Sequence, residues 1–227
     1  MISTLVSHDR EFIWKARGYN SVQEMNEDLV RKINETVDPY DNLYILGDLM
    51  LGQPENIEYI KRLNGYLHIV LGNHDTKTRE NLYSQLPNVV EIADVGIKLD
   101  YKKYHFALTH YPMLTGNIEK ESLKQMTCNL FAHTHQTEEF YEDKAYMFHC
   151  GVDSHNGYPV LLDDIIQKMN IKVRCAVPAS PTVETSTAAP AKSRCRKCLY
   201  AWPFCGKSDK NGDCSKYKKD PPDGGYY

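Results

Sequence analysis

Leu67-His68-Ile69-Val70-Leu71-Gly72-Asn73-His74-Asp75 is the stretch that decides the fold. Its first five residues are apolar or β-branched apart from His68, which reads as a buried strand. Gly72 interrupts the strand, and three residues follow that can ligate a metal, carry a proton or orient a neighbour. Alone, Gly-Asn is ordinary turn chemistry. The pattern gains weight because it recurs. Leu43-Tyr44-Ile45-Leu46 runs into Gly47-Asp48, Tyr104-His105-Phe106-Ala107-Leu108 into Thr109-His110, and Cys128-Asn129-Leu130-Phe131 into Ala132-His133-Thr134-His135. Each is a short apolar strand that delivers Asp, Asn or His where it ends. Ligands of open α/β sheets bind outside the carboxyl ends of strands, so four such endings can converge on one crevice. A carboxylate, an amide oxygen and several imidazoles suit a divalent transition metal better than calcium or magnesium.

The residues between these strands read as helices. Ser21-Val22-Gln23-Glu24 is a capping box, followed by an apolar stripe at Val22, Met25, Leu29, Ile33 and Val37. Pro54 opens a second helix that runs through Leu63 to Gly65. A short surface helix is expected over 78–86, a strand of interrupted alternation over 89–99, and a hairpin return at Tyr104 after the turn Asp100–Lys103. Residues 118–126 read as helical, 140–149 as a hairpin, and 163–169 as a short helix. Helices alternate with strands early and hairpins dominate late, which indicates an α/β domain with a mixed sheet or two stacked sheets.

Gly47-Asp48, Gly72-Asn73-His74-Asp75, Thr109-His110 and Ala132-His133-Thr134-His135 resemble, in order and spacing, the motifs of the calcineurin-like metallophosphoesterases. The resemblance covers the chain to about residue 170 and implies an α/β β-sandwich flanked by helices. It also implies a metal-dependent hydrolysis of phosphate mono- or diesters, with manganese, iron, zinc or nickel as the cofactor. Asp48 would bridge two metals. Asn73, His110 and His133 would complete one site, and His135 would serve the other. His74 would act on the leaving-group oxygen, oriented by Asp75. Taken singly, Asp48 suits a turn cap and His110 a satisfied buried histidine. His133 and His135 flank one residue and share a side of an extended segment, a stronger metal signal than either alone. His105, His149 and His155 are given structural roles, with His149 and Asp153 near the cleft.

The start of the chain departs from the family pattern, in which a first strand ends in Asp-x-His. If His8 matches the last His of the longer family motif, Ser3 stands at the Asp and Leu5 at the His. Leu has no donor atom and Ser is a poor ligand. One metal site is then complete and the other keeps only Asp48 and His135. Two readings stand: a start that lacks part of the first strand, or a protein that is a weakened hydrolase. A non-catalytic metal-binding or interaction protein on the same fold is the alternative. Ala132 stands where the family has Gly, which requires a negative φ there.

Composition sets the remaining bounds. Of 227 residues, 41% are hydrophobic and 25% charged, as in a globular protein. No apolar run approaches a membrane span, and no secretory leader is recognisable at Met1, so a cytoplasmic location without membrane partners is expected. From Ala191 to Tyr227, nine Lys or Arg against four Asp give +5, while the first 190 residues carry 18 basic against 26 acidic residues, a net of −8. The domain is assigned to residues 1–174, a Pro/Ala/Ser/Thr-rich linker to 175–193, and a basic Cys-rich tail to 194–227. Cys195, Cys198, Cys205 and Cys214 offer a four-cysteine zinc site, although the interval before Cys214 is loose. Lysines interleaved with Trp202 and Phe204 make nucleic acid a candidate partner of the tail. Cys128, Cys150 and Cys175 read as small buried hydrophobes.

Overall fold

The computed structural model describes residues 1–3, 8–115 and 125–176, with side chains to Arg174. Leu5, most of the helix expected over 118–126, and all four tail cysteines lie outside the described residues.

Two four-stranded sheets form the frame. In the first, β1 (Ile2–Ser3), β2 (Asn42–Leu46), β3 (Tyr66–Val70) and β4 (Val89–Ala93) lie in that order and are all parallel. In the second, β5 (Gly96–Tyr101) is antiparallel to β6 (Tyr104–Thr109), and β7 (Thr127–Phe131) and β8 (Met147–His149) continue it in parallel. Alternation assigns the faces. Leu43, Ile45, Leu67 and Ile69 face a core shared with Val30, Ile33, Ile57, Ile60 and Tyr83, which come from the covering helices. Leu46 and Val70 join Phe106, Leu108, Leu130 and Phe131 of the other sheet in a second core, with Ile165 and Met169. Both faces of β2 and β3 are therefore covered, as their near-continuous apolar runs require. Each fully buried Leu, Ile or Val contributes about 1.5–3 kcal/mol through area removed from water.

Among the described residues five α-helices accompany the sheets: α1 (Glu11–Ala16), α2 (Val22–Thr36), α3 (Ile57–Ile60), α4 (Lys77–Tyr83) and α5 (Leu162–Ala176). The α2 cap forms as the sequence suggests, with Ser21 Oγ accepting from Glu24 N at 3.1 Å. The return bond of the box lands one residue early, from Asn20 N to the Glu24 carboxylate at 2.9 Å. Met25, Leu29, Val30 and Ile33 form its buried stripe. No helix of the described residues is long and apolar enough to cross a membrane.

Four expectations need correction. The helix expected from Pro54 to Leu63 has one 3₁₀ turn, then four α-helical residues, and continues as tight turns closed by Arg62 N to Tyr59 O and Leu63 N to Ile60 O. The segment 89–99 is two strands in different sheets. The break in its alternation at Asp94-Val95 is where the chain crosses from the first sheet to the second. α5 is longer than expected, because its apolar stripe lies against the second sheet beyond Met169. α1 was not anticipated. It has no side-chain cap and no buried residue. Cys128 and Cys150 are buried, and burial pushes the Cys128 thiol up to about 12.

Candidate metal centre

The parallel pairs β2/β3 and β6/β7 each end at the site, and the loop after each strand carries its polar residues there. Close approach is built in by glycine. A Cβ on Gly72 would lie 2.3 Å from Asp48 Oδ1, and one on Gly47 would lie 2.3 Å from His110 Nδ1, where φ is also +87°. Asp48, His133 and His135 themselves take positive φ values of 53°, 61° and 48°. Such backbone is uncommon for a side chain larger than glycine, although Asp and His tolerate it best, and it gathers at functional sites. Ala132 keeps a negative φ, so its methyl is accommodated.

The structure brings Asp48, Asn73, His110 and His133 together. His110 Nε2 lies 2.9 Å from Asn73 Oδ1, 3.4 Å from Asp48 Oδ2 and 3.1 Å from His133 Nδ1. Ligand atoms of Asp48, His110 and His133 all lie within 4.8 Å of one another. Asp48 and His110 are 5% and 3% exposed, and His133 opens to solvent. His110 Nδ1 is 2.8 Å from Leu46 O, which can only accept, so Nδ1 carries a proton and the neutral ring presents a lone pair at Nε2. That lone pair meets a carboxylate oxygen and an amide oxygen. Three electron-rich atoms at this spacing repel unless a proton or a cation lies among them. Two oxygens and two imidazole nitrogens fit a divalent transition metal. Burial, then the neighbouring His110, lowers the His133 pKa.

Around these four, other groups hold the loops. Asp75 Oδ2 accepts from Asp48 N at 2.7 Å and Gly72 N at 2.9 Å, and Asp75 Oδ1 accepts from the Tyr83 hydroxyl at 2.8 Å. The Asp75 carboxylate therefore ties the β2 and β3 loops to α4. Burial raises its pKa despite those three bonds. His74 N donates to Asp48 Oδ1 at 2.8 Å, and Arg79 bonds the His74 carbonyl. The His74 side chain is exposed, and it lies close enough to His8 and His133 to help lower their pKa values.

His135 lines one small cavity with Asp48, His110 and His133 but is held by a different partner. Its Nδ1 is 2.9 Å from Asp153 Oδ2, and Asp153 is clamped by Arg17 Nε at 2.6 Å and Nη2 at 2.9 Å. Burial opposes the Asp153 charge, but bonds from His135 and Arg17 outweigh it and hold the carboxyl well below its ordinary range. The His8 ring packs edge-on against His135, with centroids 5.5 Å apart. Ser3, aligned with the family's Asp, is buried in β1. His149 is fully buried next to this group, His105 pairs with Asp100 at 2.6 Å on the surface, and His155 Nε2 meets His149 O at 2.8 Å. A cleft of about 380 Å³, lined by Arg17, Tyr19, Lys32 and Asn156 among others, opens beside His135 and Asp153. Sequence reasoning missed Tyr83 and Arg17. Neither lies in a motif, and the Arg17–Asp153 pair spans 136 residues.

Comparison with known proteins gives the family. The chain is 27% identical over 156 residues to the uncharacterized protein MJ1445 of Methanocaldococcus jannaschii, an alignment covering 66% of this chain and 78% of that protein. Its fold is similar to that of the protein of unknown function AQ665 from Aquifex aeolicus, with a TM-score of 0.56 and 21% identity over 73% of this chain and 96% of the other. Residues 25–154 match the model of the calcineurin-like phosphoesterase superfamily domain, and with more than half of its length inside that match the chain belongs to this superfamily.

Proposed function

We propose that this protein is a metal-dependent phosphoesterase whose metal is held by Asp48, Asn73, His110 and His133. The supporting observation is the meeting of His110 Nε2, Asn73 Oδ1 and Asp48 Oδ2 within 2.9–3.4 Å, with the His110 proton committed to Leu46 O. A divalent cation bound there supplies Lewis acidity toward a phosphoryl oxygen and acidifies water. The chain's own groups do the rest. Asp75 and Tyr83 keep the Gly47–Asp48 and Gly72–Asn73 loops in register, so the donors need not reorganise when substrate arrives. His74, anchored through its N–H to Asp48, presents an exposed imidazole that gives its proton to the leaving oxygen. The cleft beside His135 leaves room for the organic part of the ester.

The test is turnover of an aryl phosphomonoester and an aryl phosphodiester by the full chain loaded with manganese, cobalt or zinc. Turnover should disappear with chelator and with Asn73→Ala, and fall in His74→Ala while the metal stays bound. A chain that binds metal through Asp48 and His133 yet hydrolyses neither ester would replace this reading with the non-catalytic one.

A further inference from the structure

Asn129 is fully buried and spends both ends of its amide on the chain around His110. Its Nδ2 donates to Ala107 O at 3.0 Å and to Thr109 Oγ1 at 2.8 Å, and its Oδ1 accepts from Met113 N at 2.7 Å. The Thr109 hydroxyl in turn donates to Tyr111 O at 2.6 Å. A satisfied buried polar network of this kind rigidifies what it joins. Pro112 adds to this, since it fixes its own φ and favours an extended backbone in the residue before it. The segment after His110 is therefore set in place from within.

What this segment presents to solvent is apolar. Tyr111, Met113 and Leu114 are 49%, 41% and 70% exposed. The Tyr111 ring lies against the metal centre, its centroid 4.6 Å from that of His133 and 4.9 Å from that of His110. About half of Tyr111 stays open beside His133, which is itself exposed. A single apolar residue on a surface needs no account, but three on one locked segment next to a metal centre mark a place where something binds. Tyr111 does not line the cleft beside His135, so the two places are separate.

We propose that Tyr111 is a specificity-determining residue whose open ring receives an aromatic group carried by the phosphate ester. The proposal rests on the phosphoesterase reading for its anchor, the phosphoryl group at the metal held by Asp48, Asn73, His110 and His133. A ring bonded to the ester oxygen lies within one side-chain length of phosphorus. Aromatic rings pair at centroid separations of about 4.5–7 Å, the spacing Tyr111 already keeps with its two histidines. Because Asn129 and Pro112 preset the backbone, little ordering is left to pay for when the ligand arrives. A diester can place its second group in the cleft beside His135.

Calorimetric binding of two phosphonates of similar size, benzylphosphonate and cyclohexylmethylphosphonate, to the full chain loaded with manganese tests it. The natural chain should bind the aromatic one about three- to tenfold more tightly. Tyr111→Phe should keep that preference. Tyr111→Leu, which retains an apolar side chain but no ring, should erase it. Thr137→Trp, which fills the cleft, should leave the preference as it is. The proposal is wrong if the natural chain binds the two alike or binds neither, if Tyr111→Leu keeps the preference, or if Thr137→Trp removes it. Loss of cobalt uptake in Tyr111→Leu would make Tyr111 a support for His110 and His133 and overturn the proposal as well. Binding of a phosphonate needs the metal but no turnover. A chain that shows the preference and hydrolyses neither aryl ester therefore keeps Tyr111 as an aromatic site and refutes the phosphoesterase reading. A chain that hydrolyses both esters without the preference does the reverse.

Discussion

Replacing Asp75 separates a brace from a purely catalytic residue. Its carboxylate accepts from three groups: Asp48 N at 2.7 Å, Gly72 N at 2.9 Å and the Tyr83 hydroxyl at 2.8 Å. Asp75→Ala leaves all three without that acceptor. Each loss costs about 1–3 kcal/mol when the donor stays dry, and removing a carboxylate whose charge burial already disfavours returns part of it. The net loss is about 3 kcal/mol. Asp75→Asn keeps an oxygen for the two backbone donors, and the Tyr83 hydroxyl can rotate to accept from the new amide, so it should cost about 1 kcal/mol. Thermal melts in excess chelator isolate this effect from metal binding. At roughly 2–4 °C per kcal/mol for a domain of this size, the Ala variant should melt about 6–12 °C lower and the Asn variant about 2–4 °C lower. If Asp75 served only to orient His74, both variants would lose turnover and keep their stability. An Ala variant within 1 kcal/mol of the natural protein, or indistinguishable from Asn, refutes the brace.

Arg17→Ala should destabilise the metal-free chain by about 3 kcal/mol, because it leaves the buried Asp153 carboxylate with only His135 beside it; adding Asp153→Asn should recover part of the loss in urea unfolding. Asp28 gains from its partners Lys32, Tyr19 and Arg31 against the cost of burial, and its pKa falls to about 2. A depressed carboxyl stabilises the fold above its unfolded pKa of about 3.9 and loses that contribution as pH falls through 2, so Asp28→Asn should cost about 2 kcal/mol at pH 7 and almost nothing near pH 2. Gly47→Ala should abolish metal uptake and lower the melting temperature, since its methyl would sit 2.3 Å from His110 Nδ1; retention of normal cobalt binding would show that the loop relaxes.

The strands that reach the site were legible because each is a short apolar run broken by a polar residue. α2 was legible because its cap and stripe occur together. α1 was not: Arg10 caps nothing, no α1 residue is buried, and the helix lies in a region fixed by Arg17 reaching Asp153, a pairing no local pattern records. The segment 89–99 misled because its broken alternation reads as one irregular strand, whereas the break at Asp94-Val95 is where the chain changes sheets. Asp48, Asn73, His110 and His133 could be read as a set because each follows its own strand. Tyr83 could not, because a buried tyrosine on an amphipathic helix is indistinguishable from core until its hydroxyl is seen on Asp75.

Ile2 is paired on both sides. It lies in register with Tyr44 in the first sheet and exchanges two backbone bonds with Val160, at 2.9 and 2.8 Å. The second partner is translated 158 residues after the first residue of the pair. At about 5–20 residues per second, the edge of the first sheet waits roughly 10–30 s on the ribosome for the strand partner that closes it. Through that interval the outer edge of β1 is unpaired and open to whatever chain is nearby. A contact so distant in sequence also adds to the loop-closure entropy that slows refolding. Ile2 thus completes its pairing only after Val160 has been made, and refolding of the isolated domain should be slow and sensitive to protein concentration.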